Sequence, residues 1–541
     1  MTRGGRALLA ASVAAALLVA AGCAGGGPGN GGAGTGQPRQ GGTFTVGIPQ
    51  FTICYDASQT PFVPYVHNAV VDTLLEQDPK TKQILPWLAE RHEIENNGAR
   101  YVLHLKKGVT FSNGEPFDAA AVKASFEDAV ALGKLGKSPQ ASAYLTGYAG
   151  SDVLDPHTIA INFRTPKAGF EQALTERALG IIAPATIKTR TPEQRCAEGV
   201  VGTGPYVIDK IVPDQEVTLR ARADYAWQSP NQRHPGRPYV DKLVFRRVPE
   251  SAVRVGSVLS GQLDAITSIP ALDLDQLTSA GNEILWTSAA GSVYSFFFNY
   301  TKPVTADPSV RAAFLHGINR QELVDTAYTS YDRPATGVLS PGVPQYLDQS
   351  AKLRYDPDAS RRILDVAGWV PGPDGIRVKD DRRLSVRFKY SDEEDKTPAE
   401  LFQQQLRKIG IEFLVEQVTR AQLTEWEAPN TGWDIIAAPL TRPDADILLS
   451  RYHPEFSWWL GGQNLDPYPE VTALLEQEAA QLDPARRAQL AATAQELIVD
   501  NAYAVPVRQV TTIWALARRA HGLWLTLPYP PSFTDVWVDG G

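Results

Sequence analysis

Alternation of apolar and polar positions begins at Gly42-Thr43-Phe44-Thr45-Val46-Gly47, where a period of two predicts an opening strand. Over 66–76 the spacing changes: Val66, Ala69, Val70, Thr73 and Leu74 recur at helical intervals and Asp78-Pro79 stops the run, so a helix is predicted. Alternation returns at Tyr101-Val102-Leu103-His104-Leu105, ahead of the turn signal Ser112-Asn113-Gly114-Glu115-Pro116. Asp118 follows, placed so that its carboxylate can accept from the free amides that open a helix at Ala119. Strands are predicted again at 157–163 and 216–221, on either side of Gly202-Thr203-Gly204-Pro205-Tyr206. Gly114 and Gly204 are expected to supply backbone angles that other residues resist, while Pro116 and Pro205 fix the chain direction. Beyond residue 305 the pattern turns helical, with periodic stretches over 309–327, 357–367, 398–409, 470–481 and 484–500. Strands interleaved with helices, followed by a helix-rich part, predict an α/β chain; 541 residues exceed what one compact core usually takes, so a second α/β lobe is expected.

The N-terminus adds a compartment. Arg3 and Arg6 precede an apolar stretch, Ala7 to Ala21, too short to span a bilayer comfortably and closed by Gly22-Cys23, which reads as a signal peptide over 1–22. Ala20-Ala21-Gly22-Cys23 resembles the bacterial lipobox, which implies acylation of Cys23 and attachment to the extracytoplasmic face of the cell membrane. Residues 23–42 are then a tether: from 24 onward they are nearly all Gly, Pro, Asn, Gln and Thr, a composition that buries no core and reaches roughly 25 Å. In an oxidising compartment Cys54 and Cys196 have two readings, a disulfide or two separately buried thiols. A bridge would stabilise by about 3–5 kcal/mol in the chain-entropy model.

Composition narrows the function. With 43% apolar and 21% charged residues the body is that of an ordinary soluble protein, and a net charge of −8 with thinly spread basic residues argues against nucleic acid. No catalytic signature is present: Gly-x-Ser-x-Gly is absent and His92-Glu93 lacks the second histidine of a zinc protease. Gly136-Lys137-Ser138 mimics the end of a phosphate loop, but Ala131 replaces the first glycine and Pro139 follows at once. The eight histidines are scattered and the only Met is the initiator, so no metal cluster and no cofactor are expected. The protein is not read as an enzyme.

Several blocks in order resemble the peptide- and nickel-binding class (family 5) of extracytoplasmic solute-binding proteins of ABC importers. The most specific is Tyr101 to Glu127, similar to that family's strand, "F-S-(D/N)-G-x-P" turn and helix start. Gly202 to Trp227 resembles its "GTGPY" stretch and the aromatic motif after it, Leu259 to Asp264 its "l-x-x-G-e-x-D", and Asn299 to Arg320 its "fN" and "V-R-x-A" helices. Tyr355-Asp356-Pro357, Ala367-Gly368-Trp369, Ile409-Gly410-Ile411 and Val505-Pro506 complete the series.

The resemblance implies a bilobed periplasmic-binding-protein-like fold with a double-crossover hinge: lobe I from 41–293 plus 507–541, with an inserted subdomain, and lobe II from 294–506. It also implies a monomer that takes an oligopeptide or dipeptide in the interlobe cleft and delivers it to the permease subunits. Other solutes (a nickel chelate, haem, a sugar) and a regulatory envelope lipoprotein with the same fold are the alternatives. Trp426 falls where oligopeptide binders place a pocket tryptophan, within a group that includes Trp433, Trp458 and Trp459; core packing is its other reading. Asp444, in Leu440-Thr441-Arg442-Pro443-Asp444-Ala445-Asp446, stands near the family's ammonium-holding aspartate, displaced by one residue and with Leu440 in place of a tryptophan; it is equally placed to cap a helix. Tyr294, Phe298 and Phe62 are further candidate ligand contacts.

Overall fold

The computed structural model describes residues 37–51, 54–60, 65–391, 395–428, 432–457, 460, 465–526 and 531–539. The signal peptide, Cys23, most of the tether, Phe62, Trp458 and Trp459 lie outside the described residues.

Strand Thr43–Ile48 forms as its alternation predicts, with Phe44 and Val46 wholly buried, and it is central to a seven-stranded sheet. It runs parallel to Lys242–Arg247 on one side and to Ala265–Thr267 on the other, while the remaining strands pair antiparallel. The last strand but one of that sheet, Thr511–Leu516, comes from the far end of the chain and lies between Ala265–Thr267 and Glu283–Ser288. A second sheet of four antiparallel strands carries Ala89–Glu95, Arg100–Leu105, Thr158–Phe163 and Tyr148–Asp155, and is inserted within the first. A three-stranded sheet of Ile435–Thr441, Gly291–Phe298 and Ala504–Arg508 anchors the helix-rich part.

Each sheet has its own hydrophobic core. Phe44, Phe245 and Trp514 centre the first, Tyr101, Phe126 and Phe170 the second, and Phe296, Phe314, Phe402 and Phe413 the third. The helices end where local chemistry says they should. Asp118 accepts from the Ala121 amide at 2.9 Å, and Asp483 accepts from Arg486 at 2.7 Å ahead of Pro484–Asp500, which buries Leu490, Ala491, Ala494 and Ile498 on one face. Arg311 ties its helix to the neighbouring chain through Ala502 O at 3.2 Å, and Val310 beside it is wholly buried.

Three expectations change. The helix expected over 66–76 ends at Val70, and Leu75–Gln77 is a strand paired with Ile84–Pro86. The apolar residues on the two sides serve different cores, Val66 and Val70 the main sheet and Leu74 and Leu75 the inserted one, so continuous apolar spacing marks a crossing between bodies. The stretch 309–327 is two helices, Pro308–Gly317 and Arg320–Ala327, because Asn319 caps the second by accepting from Glu322 at 3.1 Å. Gly114 has φ of +88°, as expected, but Gly204 is required for closeness: a Cβ there would lie 2.5 Å from the carbonyl carbon of Val70.

Candidate ligand-binding cleft

The chain passes from the seven-stranded to the three-stranded sheet at Ala289-Ala290 and returns at Gln509-Val510. These crossings are bonded side by side: the Ala289 amide donates to Val510 O at 2.8 Å, and Ser288 Oγ donates to Gln509 Oε1 at 3.1 Å. Two short, adjacent segments carry both crossings, the arrangement of a hinge between two sheets.

On the second-lobe side of the hinge, Arg508 lies with its guanidinium 5.4 Å from the Tyr294 ring and 4.1 Å from that of Tyr328, and pairs with Asp332 at 3.5 Å. Tyr294 is half-buried; burial first and the nearby Asp395 second push its phenol well above the usual range, so it stays protonated and keeps a hydroxyl to offer. Phe298 is 1% exposed and packs edge-on to Phe314 at 5.5 Å, inside the core. Trp433 is likewise in the core at 0% exposure. Trp426 keeps part of its surface, and its ring is flanked by Arg387 at 4.9 Å and Lys389 at 4.7 Å. With Glu416, Gln422 and Glu425 it lines an open surface groove of about 410 Å³.

The 440–446 loop brings Arg442, Asp444 and Asp446 together where the helix-rich part meets the inserted subdomain. Asp444 accepts from Asp446 N at 2.9 Å as the cap of the short helical turn Ala445–Leu448, and its two oxygens take Arg487 at 2.5 and 2.9 Å. Arg487 Nε reaches Glu478 at 2.9 Å. Arg442 pairs with Asp446 at 2.9 Å, both 3% exposed. Burial works to raise the Asp446 carboxyl, but Arg442, Lys167 and Arg487 outweigh it and hold the group well below the usual carboxylate range. Glu478 moves the other way: burial pushes it up, and the like charges of Asp444 and Asp446 add to the rise against the pull of Arg487. Glu176, wholly buried and accepting from Gln172 Nε2 at 2.7 Å, is raised to about 7 by burial.

Sequence reasoning named Asp444 but missed Arg442, Arg487 and Lys167 as its surroundings, and Glu176 near Arg442. Arg442 stood in the same quoted loop. Lys167 and Glu176 come from the inserted subdomain, and no local signal marks a partner some 270 residues away. Cys54 and Cys196 are joined as a disulfide, which fixes the segment around Tyr55 to the helix Pro192–Glu198. Tyr55 N also donates to Cys196 O at 2.9 Å, and Arg195 lies 3.3 Å from Asp56. Among the described residues no group of three His, Cys, Asp or Glu is placed to hold a metal ion, and no helix is long and apolar enough to cross a membrane.

The same architecture occurs in solved proteins. The oligopeptide-binding protein AppA of Bacillus subtilis, in complex with a nonapeptide, superposes with a TM-score of 0.78 at 20% identity, covering 93% of this chain and 100% of that one. NikA of Brucella suis, in complex with Fe(III)-EDTA, gives 0.77 at 20% identity over 92% of this chain and 100% of its own. In sequence, the glutathione-binding protein GsiB of Escherichia coli is 26% identical over 481 residues, 85% of this chain and 87% of the relative. Residues 83–452 match the family model described as bacterial extracellular solute-binding proteins, family 5 Middle. The chain therefore belongs to family 5 of the extracellular solute-binding proteins of ABC importers and has their bilobed fold, its lobes joined by a double-crossover hinge.

Proposed function

We propose that the protein is a membrane-anchored receptor that closes its two lobes over a small peptide and presents it to the importer's permease. The hinge supports this most directly: its two crossings lie together, linked by the 2.8 Å bond from Ala289 to Val510, so the lobes on either side can turn as units. The moving bodies in this reading are 41–293 with 507–541, and 294–506. Cys23 carries the acyl anchor, and the tether holds the body near the membrane. Tyr294 and Trp426 are the candidate contacts that keep surface for a ligand, and the phenol of Tyr294 offers a hydrogen bond to a peptide main chain.

One observation favours a ligand that does not lean on the acidic loop. Asp444 is saturated by Arg487, so a free ammonium has no open carboxylate at that position in this arrangement. Relatives whose names record glutathione, peptide and metal-chelate ligands define the panel to test. Thermal shift with di- to nonapeptides, glutathione and Fe(III)-EDTA is expected to raise Tm with peptides by mass action; micromolar capture corresponds to about −8 kcal/mol. A flat response to every solute would favour the regulatory lipoprotein instead.

A further inference from the structure

Arg442 spans two bodies. Its own loop belongs to the helix-rich part, yet Nη2 donates to Gly169 O at 3.1 Å and Nε to Gln172 Oε1 at 2.7 Å, both in the inserted subdomain, and the guanidinium lies 4.5 Å from the Tyr144 ring of that same subdomain. Beside it the Ala168 amide donates to Ala479 O at 2.7 Å, a second main-chain tie between the same bodies. We propose that Arg442 is a positioning residue for capture: it latches the inserted subdomain onto the second lobe and so favours the closed arrangement before any ligand contributes.

The chemistry suits a reversible latch. A buried guanidinium whose only carboxylate lay across the interface would be stranded on opening, at high cost. Arg442 carries its carboxylate with it, because Asp446 is four residues along the same loop at 2.9 Å. Opening therefore gives up Arg442's two hydrogen bonds and ring contact, the Ala168–Ala479 bond and the attraction of Lys167 for Asp446, while the Arg442–Asp446 ion pair stays intact and becomes hydrated. The fit is close on the other side as well. Gly169 has φ of −78°, which any residue can adopt, yet a Cβ there would lie 2.7 Å from Asp446 Oδ2 and 3.2 Å from Arg442 Nη2. A methyl at 169 thus meets the tips of Asp446 and Arg442, the pair that forms the latch, and must displace them, while its own backbone is unstrained.

This inference rests on lobe closure as the mode of capture, but it is read on the protein without ligand. Small-angle scattering on dialysed, ligand-free wild type is expected to match the profile calculated from this structure, in which Arg442 bridges the two bodies, and Arg442→Ala and Gly169→Ala are each expected to shift the radius of gyration upward with unchanged far-UV circular dichroism. Loss of one charge-assisted hydrogen bond corresponds to about a 10-fold fall in the closed-to-open ratio. A wild type that is open without ligand, or a folded Gly169→Ala with the wild-type profile, overturns the latch. Should Arg442→Ala fail to fold, Gly169→Ala decides. Variants that open in a protein responding to no peptide would keep the latch and refute only the peptide reading.

Discussion

Gly204 and Gly114 show how one residue type serves two physical needs. At Gly114 the positive φ is the requirement and nothing lies within 4 Å of where a Cβ would stand, so Gly114→Ala is expected to cost about 1–2 kcal/mol through backbone strain alone. At Gly204 the added methyl meets the Val70 main chain, which cannot rotate away, and a cost of about 1–3 kcal/mol is expected from displacement of the chain. Asparagine separates the two mechanisms: it tolerates the left-handed region at 114 and enlarges the clash at 204. Urea denaturation of the four variants measures both. Phe298 makes a related point about burial. Alternation marks it as a residue on one face of a strand, but only the presence of Phe314 tells that this face is core.

At the level of elements, a cap depends on neighbours one turn away, which is why Asp118 was readable as one, whereas Asn319, which divides 309–327, was not singled out. Asp118, Asp307, Asn319, Asp356 and Asp483 each accept from an amide two or three residues on, and the helices start there. Asp118→Ala is expected to lower stability by about 1 kcal/mol, with Asp118→Ser recovering most of it, as read from denaturation midpoints. Asp444 belongs to this class too, since it caps the turn at Ala445. Its second duty, pairing with Arg487, depends on a helix some 40 residues later and could not be read locally.

For the whole molecule, the buried carboxyls set a pH response. Glu176 is raised to about 7 by burial, above its unfolded value, so the folded state holds a proton that the unfolded chain has released; its contribution to stability is full at low pH and is lost as pH rises through 7. From pH 8 to 6.5 stability is therefore expected to increase by about 1 kcal/mol from this group. Burial also raises Glu478, which acts in the same direction. His67 opposes them at lower pH. Burial depresses its pKa, so its contribution is present above the unfolded value of about 6.5 and is lost on further acidification. Glu176→Gln, which keeps a partner for Gln172, is expected to flatten the slope between pH 8 and 6.5; an unchanged slope would assign it to other groups.

Taken alone, the order of residues determined most of the segments that become strands and helices, the helix start at Asp118, that the chain opens with the pattern of an export signal, and which family's blocks it carries in series. Those properties rest on spacing and on contacts within a few residues. The break at Val70, the core position of Phe298 and the ionic cluster joining Arg442, Asp444 and Asp446 to their partners were decided by tertiary structure. Each depends on which distant surface comes to lie opposite, and an apolar or charged side chain has the same local pattern whether it meets a core, a partner lobe or water.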